Sequence, residues 1–263
     1  CHPWCSREFC VVDRISAMRR QETKTYHCST FEQRFSQSQV GLGDINIREN
    51  IHWRGNICSW SYKVIDHFEL SRRTVAISLD LFDRYFAKES NRYDERCVRL
   101  VSVTTLYIAI KAHETKKIEI CTLTQLCIGH FLFEDIMQME LEILKLLKWM
   151  VNPPTTVDFI YHFLELLPVN VHTPVRHTIF ELSSYVAELS VCDSFFVGIP
   201  SSVIAFAAIL NTLDHEICPN HFSVGCQEEF LSDLCQCLNV NKGSNQVNLV
   251  RKRLHDILKT SSK

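Results

Sequence analysis

The 263-residue chain is poor in the residues that build tight turns, with only 7 glycines and 7 prolines. Short hairpins depend on such residues, so the composition favours long helices over a β architecture. The longest uninterrupted apolar run, Val203 to Leu210, is far too short to span a bilayer. The formal net charge of −2 creates no strong field that would attract nucleic acid or a membrane surface. We therefore expect a helical protein that binds neither nucleic acid nor a membrane.

The cysteines lack the spacing of a metal site. The 13 cysteines are odd in number and lie mainly along helix-like apolar stretches, unlike the short, loop-rich disulfide frameworks of secreted proteins. We interpret them as reduced thiols that fill core positions, which indicates a nuclear protein, a cytoplasmic protein or one found in both compartments. No Cys-x-x-Cys pair with zinc-site spacing occurs, and no nucleophile–base arrangement is recognisable. We expect no metal, no cofactor and no enzymatic activity.

The chain does contain a long series of helical patterns. A first helix is predicted over 7–22, and a polar connecting segment follows over 23–47. Ten further helices are predicted in two sets of five. The first set is about 48–68, 74–86, a helix that starts near Asp94 and is apolar over 97–110, a short helix after Thr122, and 133–149. The second set is about 154–167, 172–191, 200–214, 226–239 and 244–259. The third helix of each set is apolar on all sides, so each must be surrounded by other helices. This period of roughly 100 residues is typical of a duplicated helical domain.

The domain borders follow from this repeat. We predict an N-terminal helix and connecting segment at 1–47, a first five-helix domain at 48–151 and a second at 152–263. Because the chain begins at Cys1 rather than at a methionine, we expect a preceding segment.

An apolar stripe in the first helix of the first set includes two tryptophans. In the segment WRGNICSW, residues 53–60, Trp53, Ile57 and Trp60 recur at steps of four and three, which is the spacing of one helical face. Arg54 lies inside the same turn. Such a face is either buried core or a surface that binds a partner, and the spacing alone leaves both interpretations open.

Several motifs taken together resemble the cyclin family. WRGNICSW stands where cyclins carry a Met-Arg-Ala-Ile-Leu-type motif that ends in Trp, and Asp83-Arg84-Tyr85 matches their Asp-Arg-aromatic motif in the next helix. The third helix ends in the family's Ala-x-Lys-x-x-Glu pattern, and Glu140 follows Lys111 by 29 positions. The segment AELSVCDSFFVGIPSSVIAFAAI resembles the C-terminal cyclin repeat. The resemblance implies an all-α fold with two tandem five-helix cyclin-box domains plus an N-terminal helix.

The resemblance also implies a function. Cyclins are non-catalytic subunits that bind and activate a cyclin-dependent serine/threonine kinase and so control the cell cycle. In the family, residues at the positions of Lys111 and Glu140 contact the kinase near its regulatory αC helix. By the same analogy the apolar part of the contact consists of Leu144, Trp149 and Val151. A kinase is active only when the ion pair between its β3 lysine and αC glutamate is assembled, so a partner that favours the inward αC position activates it.

The resemblance assigns a second pair of residues to structure. In cyclins, the residues at the positions of Arg54 and Asp83 form an ion pair between the first two helices of the box. A buried ion pair adds little net stability, but removal of one partner destabilises the fold strongly because the other charge stays buried without its counter-ion. We therefore expect this pair to stay within the chain rather than to contact a partner.

The resemblance places a substrate-docking patch on the first helix of the box. Trp53, Ile57 and Trp60 occupy the positions of the exposed cyclin patch that binds Arg-x-Leu peptides of kinase substrates or inhibitors. In the family an acidic residue three positions after the Trp holds the cation of the peptide, but here that position is Lys63. We expect an apolar docking surface that prefers peptides without the usual arginine.

Two other functions stay open at this point. One is a cyclin-fold transcription factor that binds promoter DNA, which would need a basic surface that the net charge of −2 does not favour. The other is a cyclin-like scaffold that binds no kinase. Binding to candidate kinases separates both from a kinase activator.

Overall fold

The structure is a computed structural model that describes residues 5–28, 43–88, 94–127, 130–169, 171–214 and 224–261. In these ranges the chain forms α-helices and one short 3-10 helix, Ser194–Phe196, but no strand. The α-helices are, in chain order, α1 Cys5–Lys24, α2 Gly43–His67, α3 Arg73–Lys88, α4 Glu95–His113, α5 Ile120–Leu126, α6 Phe133–Leu146, α7 Thr156–Leu164, α8 Thr173–Val191, α9 Ser201–Leu213, α10 Val224–Leu238 and α11 Asn245–Ser261. The predicted all-α class is confirmed, and in the described ranges two sets of five helices follow α1.

Several helix boundaries differ from the sequence prediction; α6, for example, ends at Leu146 rather than at Trp149. Helix α2 begins at Gly43 rather than near 48, so the end of the predicted connecting segment is helical. Helix α7 begins at Thr156 rather than at Pro153-Pro154. The Oγ1 of Thr155 accepts a hydrogen bond from the Asp158 amide at 3.3 Å, and the Asp158 carboxylate accepts one from the Thr155 amide at 2.9 Å. Proline lacks the side-chain oxygen and the N–H that this reciprocal capping box requires.

Each set of five helices is built around its third member. Helix α4 packs against α3 and α6, and helix α9 packs against α7 and α11. Every residue from Ser202 to Leu210 in α9 is buried, and so are most residues from Val98 to Ile110 in α4. This burial explains why neither helix has a polar face, and it confirms the prediction that both are surrounded.

Contacts within the chain divide it into two compact units. The N-terminal unit comprises the described parts of Tyr26–Pro153 together with Val191–Gly198. The C-terminal unit comprises the described parts of Cys1–Thr25, Pro154–Ser190 and Ile199–Lys263. Helix α1 belongs to the C-terminal unit, where it packs against α7 and α10. The domain borders derived from the sequence stay predictions.

A buried carboxylate joins α1 to α9 within the C-terminal unit. Glu22 accepts a hydrogen bond from the Ser202 amide at 3.0 Å and another from the Ser202 hydroxyl. Ser202 lies in the first turn of α9, where backbone N–H groups have no partner inside the helix. Burial raises the pKa of Glu22 above its usual 4.5, against the lowering effect of its bonds to Ser202. The carboxylate therefore supplies a helix cap from a distant part of the sequence.

We expect Glu22→Ala to lower the free energy of unfolding of the C-terminal unit by about 1–3 kcal/mol, because the buried amide and hydroxyl of Ser202 lose their acceptor. Glu22→Gln keeps one side-chain oxygen and should cost less. Urea unfolding followed by circular dichroism measures the loss, and Gln21→Ala, an exposed neighbour, is the control. A loss no larger than that of Gln21→Ala would show that this cap is energetically unimportant.

The same carboxylate gives a pH dependence with a definite sign. Because the folded-state pKa is raised, the stability linked to this group is fully present below 4.5 and is lost as the pH rises through the folded-state value. Wild type should therefore gain stability over Glu22→Gln as the pH falls towards 4.5.

Candidate functional site

Lys111 and Glu140, which lie 29 positions apart, are paired in the structure. Lys111 lies near the end of α4 and its Nζ donates a hydrogen bond to Oε1 of Glu140 on α6. The lysine side chain is 52% exposed and the glutamate side chain 13%. The ammonium group also lies 5.2 Å from the centre of the Tyr107 ring. Two rigid, mutually packed helices therefore present a fixed cation beside a largely covered carboxylate.

Of the three apolar residues predicted beside this pair, only Trp149 is exposed. Trp149 is 65% exposed, whereas Leu144 is buried and Val151 is half-buried against the core of the N-terminal unit. Lys148 and Trp149 have φ angles of 52° and 61°, in the left-handed region that non-glycine residues rarely adopt. The Trp149 amide donates to the Leu144 carbonyl at 2.8 Å, which closes the end of α6. The backbone is thus held in a strained turn that presents the indole to solvent, an arrangement that is common at functional sites.

Two side chains hydrogen-bond to backbone carbonyls that follow this turn. Arg84, buried in α3, donates from Nη2 to the Met150 carbonyl at 2.9 Å and from Nε to the Asp80 carboxylate at 2.6 Å. The His113 ring donates to the Val151 carbonyl at 3.0 Å. Sequence reasoning recognised Arg84 only as part of a motif and did not assign it this role. Its contacts fix the backbone next to the exposed indole.

An exposed apolar stripe on α6 was missed by the sequence analysis. Phe133, Met137 and Leu141 are 45%, 49% and 40% exposed. They recur at steps of four and therefore lie on one face of α6, which we call the outer α6 stripe. Glu140 immediately precedes Leu141, so the stripe runs close to the charged pair. The spacing is present in the sequence, but the same helix has a second apolar stripe, Ile136, Met139 and Ile143. Only that second stripe was assigned from the sequence, as the core face.

Arg54 and Asp83 form a buried ion pair inside the N-terminal unit. Arg54 donates to the Asp83 carboxylate from Nε at 3.0 Å and from Nη2 at 2.9 Å. The remaining nitrogen, Nη1, donates to the Val191 carbonyl at 2.6 Å. One guanidinium group therefore joins α2, α3 and the end of α8, and both charges are directed inward rather than to a partner.

The interpretation of every cysteine as a free thiol was wrong. Cys58 and Cys192 form a disulfide, with their Cα atoms 5.4 Å apart. The two residues are separated by 134 positions in the sequence, so no local spacing could have indicated the pair. Cys58 lies one turn after Arg54 on α2, and Cys192 follows Val191, so the covalent bond lies beside the Arg54 contacts.

Trp53, Ile57 and Trp60 line an open groove in the N-terminal unit. The groove has a volume of about 330 Å³. Its walls come from α2, from α4, and from the last residue of α5 with the segment that follows it. The other lining residues are Asn56, Glu95, Val98, Arg99, Ser102, Val103, Leu126, Cys127, His130 and Phe131. Both tryptophans are half-buried, so each ring packs on the core and still reaches the groove. The stripe therefore packs on the core and lines an open groove at the same time.

Lys63 lies beyond the groove rather than in its wall. It is exposed and follows Trp60 by three residues, so it lies on the same face of α2. The structure thus brings three of the four predicted patch residues together and places the fourth one turn further along the helix.

The described ranges add two negative findings. They contain no group of three or more His, Cys, Asp or Glu side chains that could hold a metal ion. None of the described helices combines the length and the apolar character that crossing a membrane requires.

Two family models match consecutive parts of the chain. The model of the cyclin N-terminal domain matches residues 16–152, and the model of the cyclin C-terminal domain matches residues 154–255. The chain belongs to the cyclin family. The family assignment made from the motifs of this cyclin is confirmed, and so are its two tandem cyclin boxes.

Relatives of this cyclin match it over part of their own length. It is 29% identical to Cyclin-A1-4 of Oryza sativa subsp. japonica over 62% of this chain and 46% of the rice protein. It is 29% identical to Cyclin-O protein A of Xenopus laevis over 78% of this chain and 56% of the frog protein. It is 27% identical to the G1/S-specific cyclin CCN1 of Candida albicans (strain SC5314 / ATCC MYA-2876) over 69% of this chain and 29% of that protein. This cyclin therefore spans about half of these relatives or less.

Two solved structures share the fold. A viral cyclin from herpesvirus saimiri has a TM-score of 0.63 and 17% identity, covering 94% of this chain and 97% of the viral one. A chain of the CAK complex from Chaetomium thermophilum, bound to ATP-gamma-S, has a TM-score of 0.58 and 13% identity, covering 93% of this chain and 74% of that chain. At these identities the likeness shows the fold alone.

Proposed function

We propose that this cyclin binds and activates a cyclin-dependent serine/threonine protein kinase and thereby controls cell-cycle progression. Membership of the cyclin family supports a regulatory, non-catalytic role. The observation that carries the finer proposal is the pairing of Lys111 with Glu140 on two packed helices, next to the exposed indole of Trp149. We place its site of action in the nucleus, the cytoplasm or both.

Activation needs a difference in affinity between two kinase states. A kinase is active only when its β3 lysine and αC glutamate are paired. A partner shifts αC inward only to the extent that it binds the inward position more tightly than the outward one. In the proposed complex, Lys111 and Glu140 supply directional hydrogen bonds whose geometry only the inward position satisfies.

The paired state of Lys111 does not prevent it from binding a kinase. An ammonium group has three donors, and the bond to Glu140 uses one of them. The remaining donors are available to backbone carbonyls at the end of a kinase helix. Glu140 holds the lysine in place, so less side-chain entropy is lost on binding.

The apolar part of the proposed kinase contact comes from exposed side chains. Trp149 and the outer α6 stripe offer area that the described residues leave exposed, and tryptophan is enriched among residues that dominate interface energies. Leu144 and Val151 lie behind them in or against the core. They contribute mainly by supporting the strained turn that carries the indole.

The groove on α2 and α4 is the second proposed binding site. We assign it to segments of kinase substrates or inhibitors, with Trp53, Ile57 and Trp60 as the apolar contacts. Half-buried aromatic side chains around an open cavity are typical of such sites. No nucleic acid is proposed as a partner, because the net charge of −2 does not favour a DNA-binding surface.

The proposal is tested by co-purifying the full chain with a panel of cyclin-dependent kinases and assaying each complex on a histone-type peptide. At least one kinase should bind, and its activity should rise by about tenfold or more over the kinase alone. If none binds, the scaffold alternative is favoured, and specific retention of promoter DNA would favour the transcription-factor alternative.

A further inference from the structure

The dimensions of the groove fit an extended peptide segment. Trp53 and Trp60 are seven residues apart on α2, which is about 10 Å at 1.5 Å per residue. An extended chain covers that length with about three residues. The mostly apolar wall between the two rings suits one leucine-sized side chain of such a segment, and the open side leaves its backbone accessible to solvent.

The charges on the groove wall offset each other. Glu95 and Arg99, one turn apart on α4, form an ion pair at 2.5 Å, and both side chains are exposed. The groove wall itself therefore offers little net charge to an incoming peptide.

Just beyond the groove, one turn after Trp60, α2 carries the exposed ammonium group of Lys63. Among the described residues, Lys63 has no hydrogen bond and no ion pair. The nearest acidic residue along α2, Asp66, accepts two hydrogen bonds from Arg72 at 2.9 Å and is engaged there. Within the part of the chain that the structure describes, the Lys63 ammonium group therefore remains available to a partner.

The spacing between the apolar wall and this charge defines a sequence pattern. Lys63 lies about 4.5 Å beyond Trp60 along the helix axis. In an extended peptide, side chains two positions apart point to the same side and are about 6.6 Å apart. A peptide residue two positions away from the one that contacts Trp60 therefore comes within reach of the flexible lysine.

We propose that the groove binds segments of partner proteins in which an acidic residue stands two positions from a leucine-like residue. The apolar side chain contacts Trp53, Ile57 and Trp60, and the carboxylate pairs with Lys63. This inference rests on the proposed function, because it names the class of segment that the second binding site accepts. It predicts a charge preference opposite in sign to that of an Arg-x-Leu site.

The test measures fluorescence anisotropy of four labelled peptides against the full chain. The peptides share one sequence and differ only at the central motif: Glu-x-Leu, Leu-x-Glu, Gln-x-Leu and Arg-x-Leu. At about 50 mM salt, one of the two acidic peptides should bind about two- to fivefold more tightly than the Gln peptide, and the Arg peptide should bind more weakly than both. At about 300 mM salt the differences should shrink, because an exposed ion pair is screened.

Charge reversal at Lys63 is the decisive variant. In Lys63→Glu the Arg peptide should bind more tightly than either acidic peptide, the reverse of wild type, while the affinity for the Gln peptide changes little. Lys252→Glu, which reverses an exposed charge on α11, is the matched control and should leave the order unchanged. Trp60→Ala and Trp53→Ala should each weaken all four peptides, with circular dichroism used to verify folding.

Three results would overturn the inference. The first is that wild type prefers the Arg peptide, and the second is that Lys63→Glu leaves the order of peptide affinities unaltered. The third is that no peptide binds. The kinase assay on the same preparations separates the two proposals. Intact kinase activation without the expected peptide order rejects this inference alone, whereas the expected order without kinase activation rejects the kinase proposal.

Discussion

Replacing Lys111 and Glu140 together by alanine is expected to lower kinase activation by about tenfold or more, while helical content and melting temperature stay close to wild type. The kinase loses the directional contacts that distinguish its two αC positions, and hydrogen-bonded charges at an interface contribute strongly to affinity. The fold loses little, because the lysine is 52% exposed and such exposed pairs contribute only about 0–1 kcal/mol. The measurement pairs a peptide phosphorylation assay with circular dichroism.

The matched control for this variant is another exposed ion pair of the N-terminal unit. Arg72 and Asp66 bond at 2.9 Å, and their side chains are 45% and 50% exposed. Arg72→Ala with Asp66→Ala removes two charges of opposite sign in the same way and should leave activation unchanged. Equal activation by the Lys111 and Glu140 double variant and by wild type would show that the kinase binds elsewhere.

The second large effect is expected from the buried pair of Arg54 and Asp83. Asp83→Ala leaves a guanidinium group buried without its carboxylate, so we expect the free energy of unfolding of the N-terminal unit to fall by about 3–5 kcal/mol. Arg54→Ala should cost at least as much, because it also removes the donor to the Val191 carbonyl. Urea unfolding monitored by circular dichroism measures both losses.

A double replacement tests the cause of this loss. When Arg54→Met and Asp83→Leu are combined, no buried charge is left unpaired. The loss in free energy of unfolding should therefore be clearly smaller than the sum of the losses from the two single alanine variants. Arg72→Ala, at an exposed pair, is the control and should cost about 1 kcal/mol or less. Additive losses, or a loss from Asp83→Ala as small as that of Arg72→Ala, would contradict the role assigned to the pair.

The order and type of the helices were predictable because hydrophobic periodicity is a local property. The all-round apolar character of α4 and α9 also indicated which two helices lie at the centre, since such a helix has no face that tolerates water. Helix ends were less predictable. Thr155 rather than either of the preceding prolines caps α7, because a side-chain oxygen decides where a helix is capped.

The two apolar stripes of α6 show where local pattern stops being sufficient. Ile136 and Ile143 are fully buried, whereas Met137 and Leu141 on the other stripe are exposed. Both stripes have helical spacing, and only packing against α4 decides which faces inward. For the same reason WRGNICSW could not be assigned to core or surface until its neighbours were known.

The sequence by itself determined the helical repeat and the family motifs, including the spacing of Lys111 and Glu140, because these are patterns of neighbouring residues. Tertiary structure alone decided the disulfide between Cys58 and Cys192, the turn that exposes Trp149 and the groove lined by Trp53 and Trp60. Each of these depends on contacts between residues far apart in the chain. Which distant residues meet is decided by how the helices pack, and that is a property of the whole fold rather than of any segment.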